Sequence, residues 1–210
     1  PPLHCSSAAS DVYKRQGVGL ATVELGKAMG ARVIAAASTQ DKIDLCIAHG
    51  ADEGFIYESG KLDKNQQKEL SSKIKELTGG MGANVVYDPI GDNYSEPCIR
   101  ATAWDGRYLV IGFAAGEIPK IPINLALLKG MKIVGVFWGA WVGMHPDENR
   151  KNFEELFKLH SEGKINPEVS DSFSLNDGAL AIAHLMDRKA KGKVIILSLI
   201  HISEPTRPNN

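Results

Sequence analysis

Apolar positions along this chain follow two rhythms: a helical one of three to four residues, and short unbroken runs of branched side chains. Ala21, Leu25 and Ala28 fall on one helical face, with Val18 and Met29 at its edges, and Gly30 sits where glycine ends a helix. Residues 32–37 (RVIAAA) read as a parallel strand covered on both faces. A second helix starts at Ser38-Thr39-Gln40-Asp41, runs to His49 and stops in Gly50-Ala51-Asp52. Phe55-Ile56-Tyr57 is a short strand and 58–65 a polar loop. Leu70, Ile74 and Leu77 mark a helix stopped by Gly79-Gly80. Further strands are expected at 84–88 (NVVYD), 107–112 (RYLVIG) and 132–136 (KIVGV), with helices at 94–101 and 121–129 between them. After Trp138 the pattern changes to a long amphipathic helix at 146–162, a strand at 169–173, a helix at 175–188 and a last strand at 193–196. Strand and helix alternate throughout, which predicts a parallel, doubly wound α/β sheet.

Composition narrows the function. The 210 residues are 43% hydrophobic, enough for one sizeable core and room for a second small lobe. A net charge of -1, a pI near 6.7 and scattered basic residues give no nucleic-acid footprint. No apolar run reaches the length of a membrane span, and no signal peptide is expected ahead of the fold. Cys5, Cys46 and Cys98 are unrelated singletons, so neither a disulfide frame nor a zinc cluster can be built from them alone. A reducing, cytoplasmic setting is the default expectation.

The ends behave differently. Residues 6–16 (SSAASDVYKRQ) and 197–207 (LSLIHISEPTR) fit no neighbouring element. Residues 11–16 can be encoded GAT GTG TAT AAG AGA CAG, whose reverse complement translates as Leu-Ser-Leu-Ile-His-Ile, the sequence of 197–202. Both segments resemble translated transposase-adaptor sequence. Residues 1–16 and 197–210 are accordingly expected to be adaptor-like tails, and the sheet is expected to be truncated, with its first strand missing.

Candidate chemistry gathers around residues 17–42. Gly17-Val18-Gly19 opens a helix that leads to the first strand recognised, the spacing of a dinucleotide phosphate turn. The acidic residue that takes ribose hydroxyls in NAD sites would fall at 36–39, where the chain has Ala36, Ala37, Ser38 and Thr39. A carboxylate there would repel a 2′-phosphate, whereas Ser38 and nearby Lys42 would hold one, which favours NADPH. Ser38 as a helix cap is compatible with that role. Asp41 lies in the first helical turn, where an acid suits the dipole. Gly91, Gly112-Phe113 and Phe137-Trp138 follow the strands whose carboxyl ends should line the cofactor crevice. No Ser/His/Asp set, paired carboxylates or metal-ligand spacing stands out, and His49, His145, His160 and His184 read as surface or packing residues. Hydride transfer tolerates this, since the cofactor carries the hard step.

GVGLATVELGKAMGARVIAAAS, the GAD at 50–52, ELTGGMGANVVYDPIG, GRYLVIGFAAGEIPKIPINLALLKG, GVFWG and RKAKGKVII together resemble the zinc-independent medium-chain dehydrogenase/reductases, and within them the NADPH:quinone oxidoreductase family. The resemblance covers about 17–196 and is most specific from Ile111 to Gly139. It implies a Rossmann-type NADP-binding domain at 17–145, and a return segment at 146–196 that would pack on a GroES-like catalytic domain absent from this chain. It further implies a small quinone or enone acceptor, no nucleic-acid or membrane partner, and a homodimer. Carried over by position, Gly17, Val18 and Gly19 match the end of the phosphate turn, and Ser38, Lys42 and Tyr57 match 2′-phosphate contacts. Gly91, Gly112 and Phe113 flank the cofactor, while Phe137 and Trp138 lie toward the nicotinamide and acceptor. Lys14 and Gln16 depart from the family's small residue and glycine. A sheet without its middle strand would expose two unsatisfied edges, so this chain alone is expected to be unstable or inactive. A zinc alcohol dehydrogenase, an enoyl-thioester reductase and a non-catalytic, crystallin-like nucleotide-binding module are the alternatives.

Overall fold

The computed structural model describes residues 4–7, 16–187 and 192–198. In chain order these form β1 (His4–Ser7), α1 (Gln16–Ala28), β2 (Arg32–Ala37), α2 (Gln40–Ala48), β3 (Glu53–Ile56), α3 (Lys64–Leu77), β4 (Ala83–Asp88), α4 (Ser95–Arg100) and β5 (Thr102–Val110). There follow α5 (Asn124–Lys129), β6 (Lys132–Gly135), α6 (Trp138–Met144), α7 (Pro146–Ser161), β7 (Val169–Ser174), α8 (Gly178–Met186) and β8 (Lys193–Leu197). Six strands make one all-parallel sheet in the order β3-β2-β1-β4-β5-β6. This is the doubly wound nucleotide-binding order, with its topological switch point between β1 and β4.

β2 explains the layering. Val33, Ala35 and Ala37 point to one face, where Leu20, Val23, Ile43 and Cys46 of α1 and α2 bury them. Ile34 and Ala36 point to the other, into a core with Phe55, Leu70, Ile74, Val86, Ile99 and Tyr108. A run apolar at every position is what a strand sandwiched between two helical layers requires. Asp52 of the GAD turn seals the end of this layer. Its carboxylate accepts from Lys27 Nζ at 2.8 Å and from the Val33 backbone N–H at 2.7 Å.

The sheet does not lack its central strand, contrary to the sequence-based expectation. His4–Ser7 lies between β2 and β4, with Ser6 opposite Ile34 on one side and Val86 on the other. A slot between parallel strands is lined by unpaired backbone donors and acceptors, and a short extended segment can satisfy them whatever its side chains. The two unsatisfied edges expected inside the sheet are therefore paired. Lys14 and most of the N-terminal adaptor-like tail lie outside the described residues, as do Arg188 to Lys191 and the tail beyond Ser198.

Other boundaries move for local reasons. Gly17-Val18-Gly19 forms the first turn of α1 instead of a turn before it. β5 begins at Thr102, before the expected 107, because a register shift opposite Ala83 and Val85 absorbs the Trp104-Asp105-Gly106 turn, with Asp105 at φ +56°. Part of the loop expected at 58–65 is a helix start. Asp63 Oδ1 accepts from the Asn65 and Gln66 N–H groups while Gln66 Oε1 accepts from the Asp63 N–H, a reciprocal capping box. Thr39, not Ser38, caps α2, and without a side-chain bond. α6 was not expected at all.

The chain divides into two compact units, Pro1–Asn166 and Pro167–Asn210. The first unit extends past α7, because Ile165 is buried and the Asn166 N–H donates to Glu24 of α1 at 3.1 Å. The second unit is a small β7-α8-β8 crossover with its two strands parallel.

Candidate functional site

Because the six strands are parallel, their carboxyl ends share one edge of the sheet, and the loops leaving β2, β3, β4 and β5 converge there. The phosphate-turn residues sit at the start of α1, with Gly19 buried and Val18 half-buried. The first N–H groups of a helix have no intrahelical partner, and the helix dipole places positive potential there.

Past β2, the Ser38 hydroxyl is buried and has no hydrogen-bond partner among the described residues. The residue itself is part of the lining of a cleft of about 530 Å³, with Tyr57, Glu58 and Ser59 beyond β3, and Gln66, Glu69 and Lys73 on α3. Tyr57 is 9% exposed and meets the Tyr94 ring edge-to-face, with centroids 5.3 Å apart at 66°. Burial raises its phenol pKa, with Tyr94 next in effect. The Tyr94 hydroxyl donates to the Gly60 carbonyl at 2.6 Å, and Asn93 Nδ2 donates to the Leu62 carbonyl at 2.8 Å. The loop after β4 thereby holds the loop after β3, which shapes the cleft wall. Lys42 is half-buried in the first turn of α2, and desolvation lowers its ammonium pKa.

Around β4 the geometry is tighter. Gly91 has φ +75° and ψ −146°, and a Cβ there would stand 2.7 Å from Phe113 Cδ1 and 3.1 Å from Phe113 Cα. This backbone region is open to glycine alone. The structure thus brings Gly91 against Phe113, just as it brings Ser38 and Tyr57 into one cleft. Gly112 is half-buried on the connection between β5 and Phe113. Phe137 and Trp138 follow β6, the edge strand on the far side of β5, and are 80% and 57% exposed.

Sequence reasoning missed Asp88 as more than the end of a strand. It is 3% exposed, and Oδ1 accepts from the backbone N–H groups of Ile90 at 2.7 Å and Gly91 at 3.0 Å. Oδ2 accepts from the Ser95 hydroxyl at 2.8 Å and from the Tyr108 hydroxyl. The available signal was an acid closing an otherwise apolar strand, since a buried charge must be hydrogen-bonded. Tyr94 and Asn93 were missed because their partners lie more than 30 residues away.

The histidines are placed by neighbours. His49 Nδ1 lies 2.9 Å from the buried Glu24, His145 Nδ1 3.1 Å from Glu148, and His160 Nδ1 3.1 Å from the Ile165 carbonyl. In the second unit His184 Nε2 is 3.2 Å from Asp171. Among the described residues no three His, Cys, Asp or Glu side chains converge on a point, so these residues do not fit a zinc ion. A nicotinamide dinucleotide fits them better: Ser38 lines a cleft, its hydroxyl has no partner among the described residues, and a glycine cradle lies at the switch point. No described helix is long and apolar enough to cross a membrane.

Comparison with known proteins supports the same assignment. A family model described as zinc-binding dehydrogenase matches residues 17–161. The quinone oxidoreductase-like protein 2 homolog of Nematostella vectensis is 35% identical over 181 residues, covering 85% of this chain and 47% of that protein. The crystal structure of "a probable oxidoreductase from Mycobacterium abscessus" superposes with a TM-score of 0.74 at 28% identity, covering 93% of this chain and 54% of that one. An NAD-dependent alcohol dehydrogenase structure gives 0.71 at 28% identity, covering 91% and 50%. The chain spans about half the length of the first curated relatives it matches.

Proposed function

This chain belongs to the zinc-binding dehydrogenase family, and from that premise we propose that it is the nucleotide-binding part of an NADPH-dependent quinone or enone oxidoreductase. The observation that carries the cofactor choice is the end of β2, where Ser38, whose buried hydroxyl has no hydrogen-bond partner among the described residues, lines the cleft and 36–39 hold no carboxylate. The start of α1, with Gly17, Val18 and Gly19, would receive the pyrophosphate, and Ser38 and Lys42 the 2′-phosphate. Tyr57 closes the adenosine end. Gly91, Gly112 and Phe113 form the wall along the nicotinamide half, with Phe137 and Trp138 toward the acceptor. When bound, NADPH supplies a hydride to an electron-poor carbon or quinone oxygen system. The chain's own residues bind, orient and exclude water. The whole protein is a homodimer in this proposal, works in the cytoplasm and is zinc-independent.

Titration of the purified chain with NADPH and with NADH, followed by nicotinamide fluorescence, tests this. We expect NADPH to bind at least tenfold more tightly, about 1.4 kcal/mol. We expect Ser38→Asp to reverse the order by repelling the 2′-phosphate. Equal affinities would overturn the 2′-phosphate assignment, and no binding of either would overturn the nucleotide reading. A preference for NADH would shift the choice toward the NAD-dependent alcohol dehydrogenase type that also superposes on this fold. The chain by itself is expected to reduce no quinone, because it spans about half the length of the quinone oxidoreductase-like relatives it matches.

A further inference from the structure

We propose that Asp88 is the positioning residue of the cofactor crevice, clamping the loop after β4 to the loop after β5 so that Gly91 and Phe113 form one preset wall. This rests on the nucleotide-binding reading above. The loops are laced by backbone bonds: Ile111 N–H to the Asp88 carbonyl at 3.0 Å, Ala114 N–H to Pro89 at 3.2 Å, Ala115 N–H to Ile90 at 2.9 Å and Asp92 N–H to Glu117 at 3.1 Å. That lacing needs the Pro89–Gly91 backbone held in an unusual path, with Gly91 at φ +75° and the following Asp92 at +54°. The Asp88 carboxylate sets this path. Oδ1 takes the Ile90 and Gly91 N–H groups, which would otherwise be buried without partners, and Oδ2 ties the same point to Tyr108 on β5 and Ser95 on α4. One side chain therefore joins β4, β5, α4 and the turn between them, beside the switch point where the crevice opens. Asp88 is buried, its carboxylate taken up by these four bonds. It acts through Gly91 and Phe113.

The test uses the full chain, with two readouts: amide hydrogen exchange of the free protein and the NADPH dissociation constant. Asp88→Ala removes all four bonds. We expect exchange at Ile111, Ala114 and Ala115 to accelerate tenfold or more while β2 amides stay within twofold, and NADPH binding to weaken tenfold or more. Asp88→Asn keeps one acceptor for the two N–H groups and can donate to the Tyr108 and Ser95 oxygens, so it should restore both readouts to within threefold of wild type. Unchanged loop exchange in Asp88→Ala overturns the clamp. Faster exchange with unchanged affinity overturns its role in the crevice. Asp88→Asn failing as badly as Asp88→Ala would also overturn the proposal, since charge and not geometry would then matter. If Asp88→Ala loosens β2 as well, Tyr108→Phe decides: loop exchange up at least threefold with β2 unchanged supports the clamp, and no change overturns it. A wild-type chain that bound no NADPH would fail the cofactor reading separately, and the exchange data would still judge the clamp.

Discussion

Gly91 and Ser38 represent two different kinds of residue-level constraint. At Gly91 the constraint is steric: its positive φ and the Phe113 backbone 3.1 Å from a would-be Cβ leave no room for any side chain. Gly91→Ala should cost about 2–3 kcal/mol of stability, summing backbone strain and the displacement of Phe113. Urea unfolding measures this, and a loss below about 0.5 kcal/mol would show the turn to be adaptable. At Ser38 the constraint is chemical, an acceptor and donor in a buried place without a partner among the described residues. A glycine after a strand was visible in the sequence. That its missing Cβ is required by Phe113, 22 positions on, was not, because local pattern carries no information about which loops meet.

At the scale of elements, the all-apolar run of β2 and the amphipathic spacing of α3 were legible because burial on two faces, or on one, leaves its own period in the chain. The capping box at Asp63 and Gln66 was also there to be read, and marks the helix start that was taken for loop. β1 is the opposite case. Its four residues have no strand-like signal and lie within the tail expected to be adaptor-like, yet they pair with both neighbours. Their place is set by β2 and β4. Ser6→Pro tests whether this pairing carries weight, since proline in a central strand removes a ladder donor and costs about 3 kcal/mol or more. A melting temperature lowered by several degrees is expected, and an unchanged one would mean that the sheet does not depend on this segment.

For the whole molecule, burial of several protonated groups has a consequence at high pH. Burial raises the pKa of the Tyr57 and Tyr108 phenols and of the Cys98 thiol, and pushes the Cys46 thiol up to about 11. In the unfolded chain these groups titrate at ordinary values, near 8.5 for thiols and 10 for phenols. Their contribution is complete below those values and is lost as pH rises through the raised folded ones. Stability from urea titrations should therefore fall between about pH 9 and 11, by roughly 1.4 kcal/mol for each of Tyr57 and Tyr108 at one unit above the ordinary phenol value. Tyr108→Phe should flatten that fall, and a pH-independent stability up to 11 would show the phenols to be accessible. Asp52 works in the other direction. Partial burial raises its pKa, but the Lys27 and Val33 bonds outweigh that and lower it, so its help is present above the usual carboxylate range and fades in acid.

The sequence by itself determined the layered α/β class, the order of the later strands, the glycine-led helix at the phosphate end and the lack of a carboxylate after β2. These follow from hydrophobic period and residue type, which act locally. Tertiary structure alone decided that His4–Ser7 completes the sheet, that Tyr94 and Asn93 shape the cleft, and that Asp88 ties two loops together. It also decided that α7 closes the first compact unit through Asn166 and Glu24. Each of these depends on a buried polar group finding its partner far along the chain. Such a partner is chosen by the packing of the sheet, and no run of neighbouring residues records it.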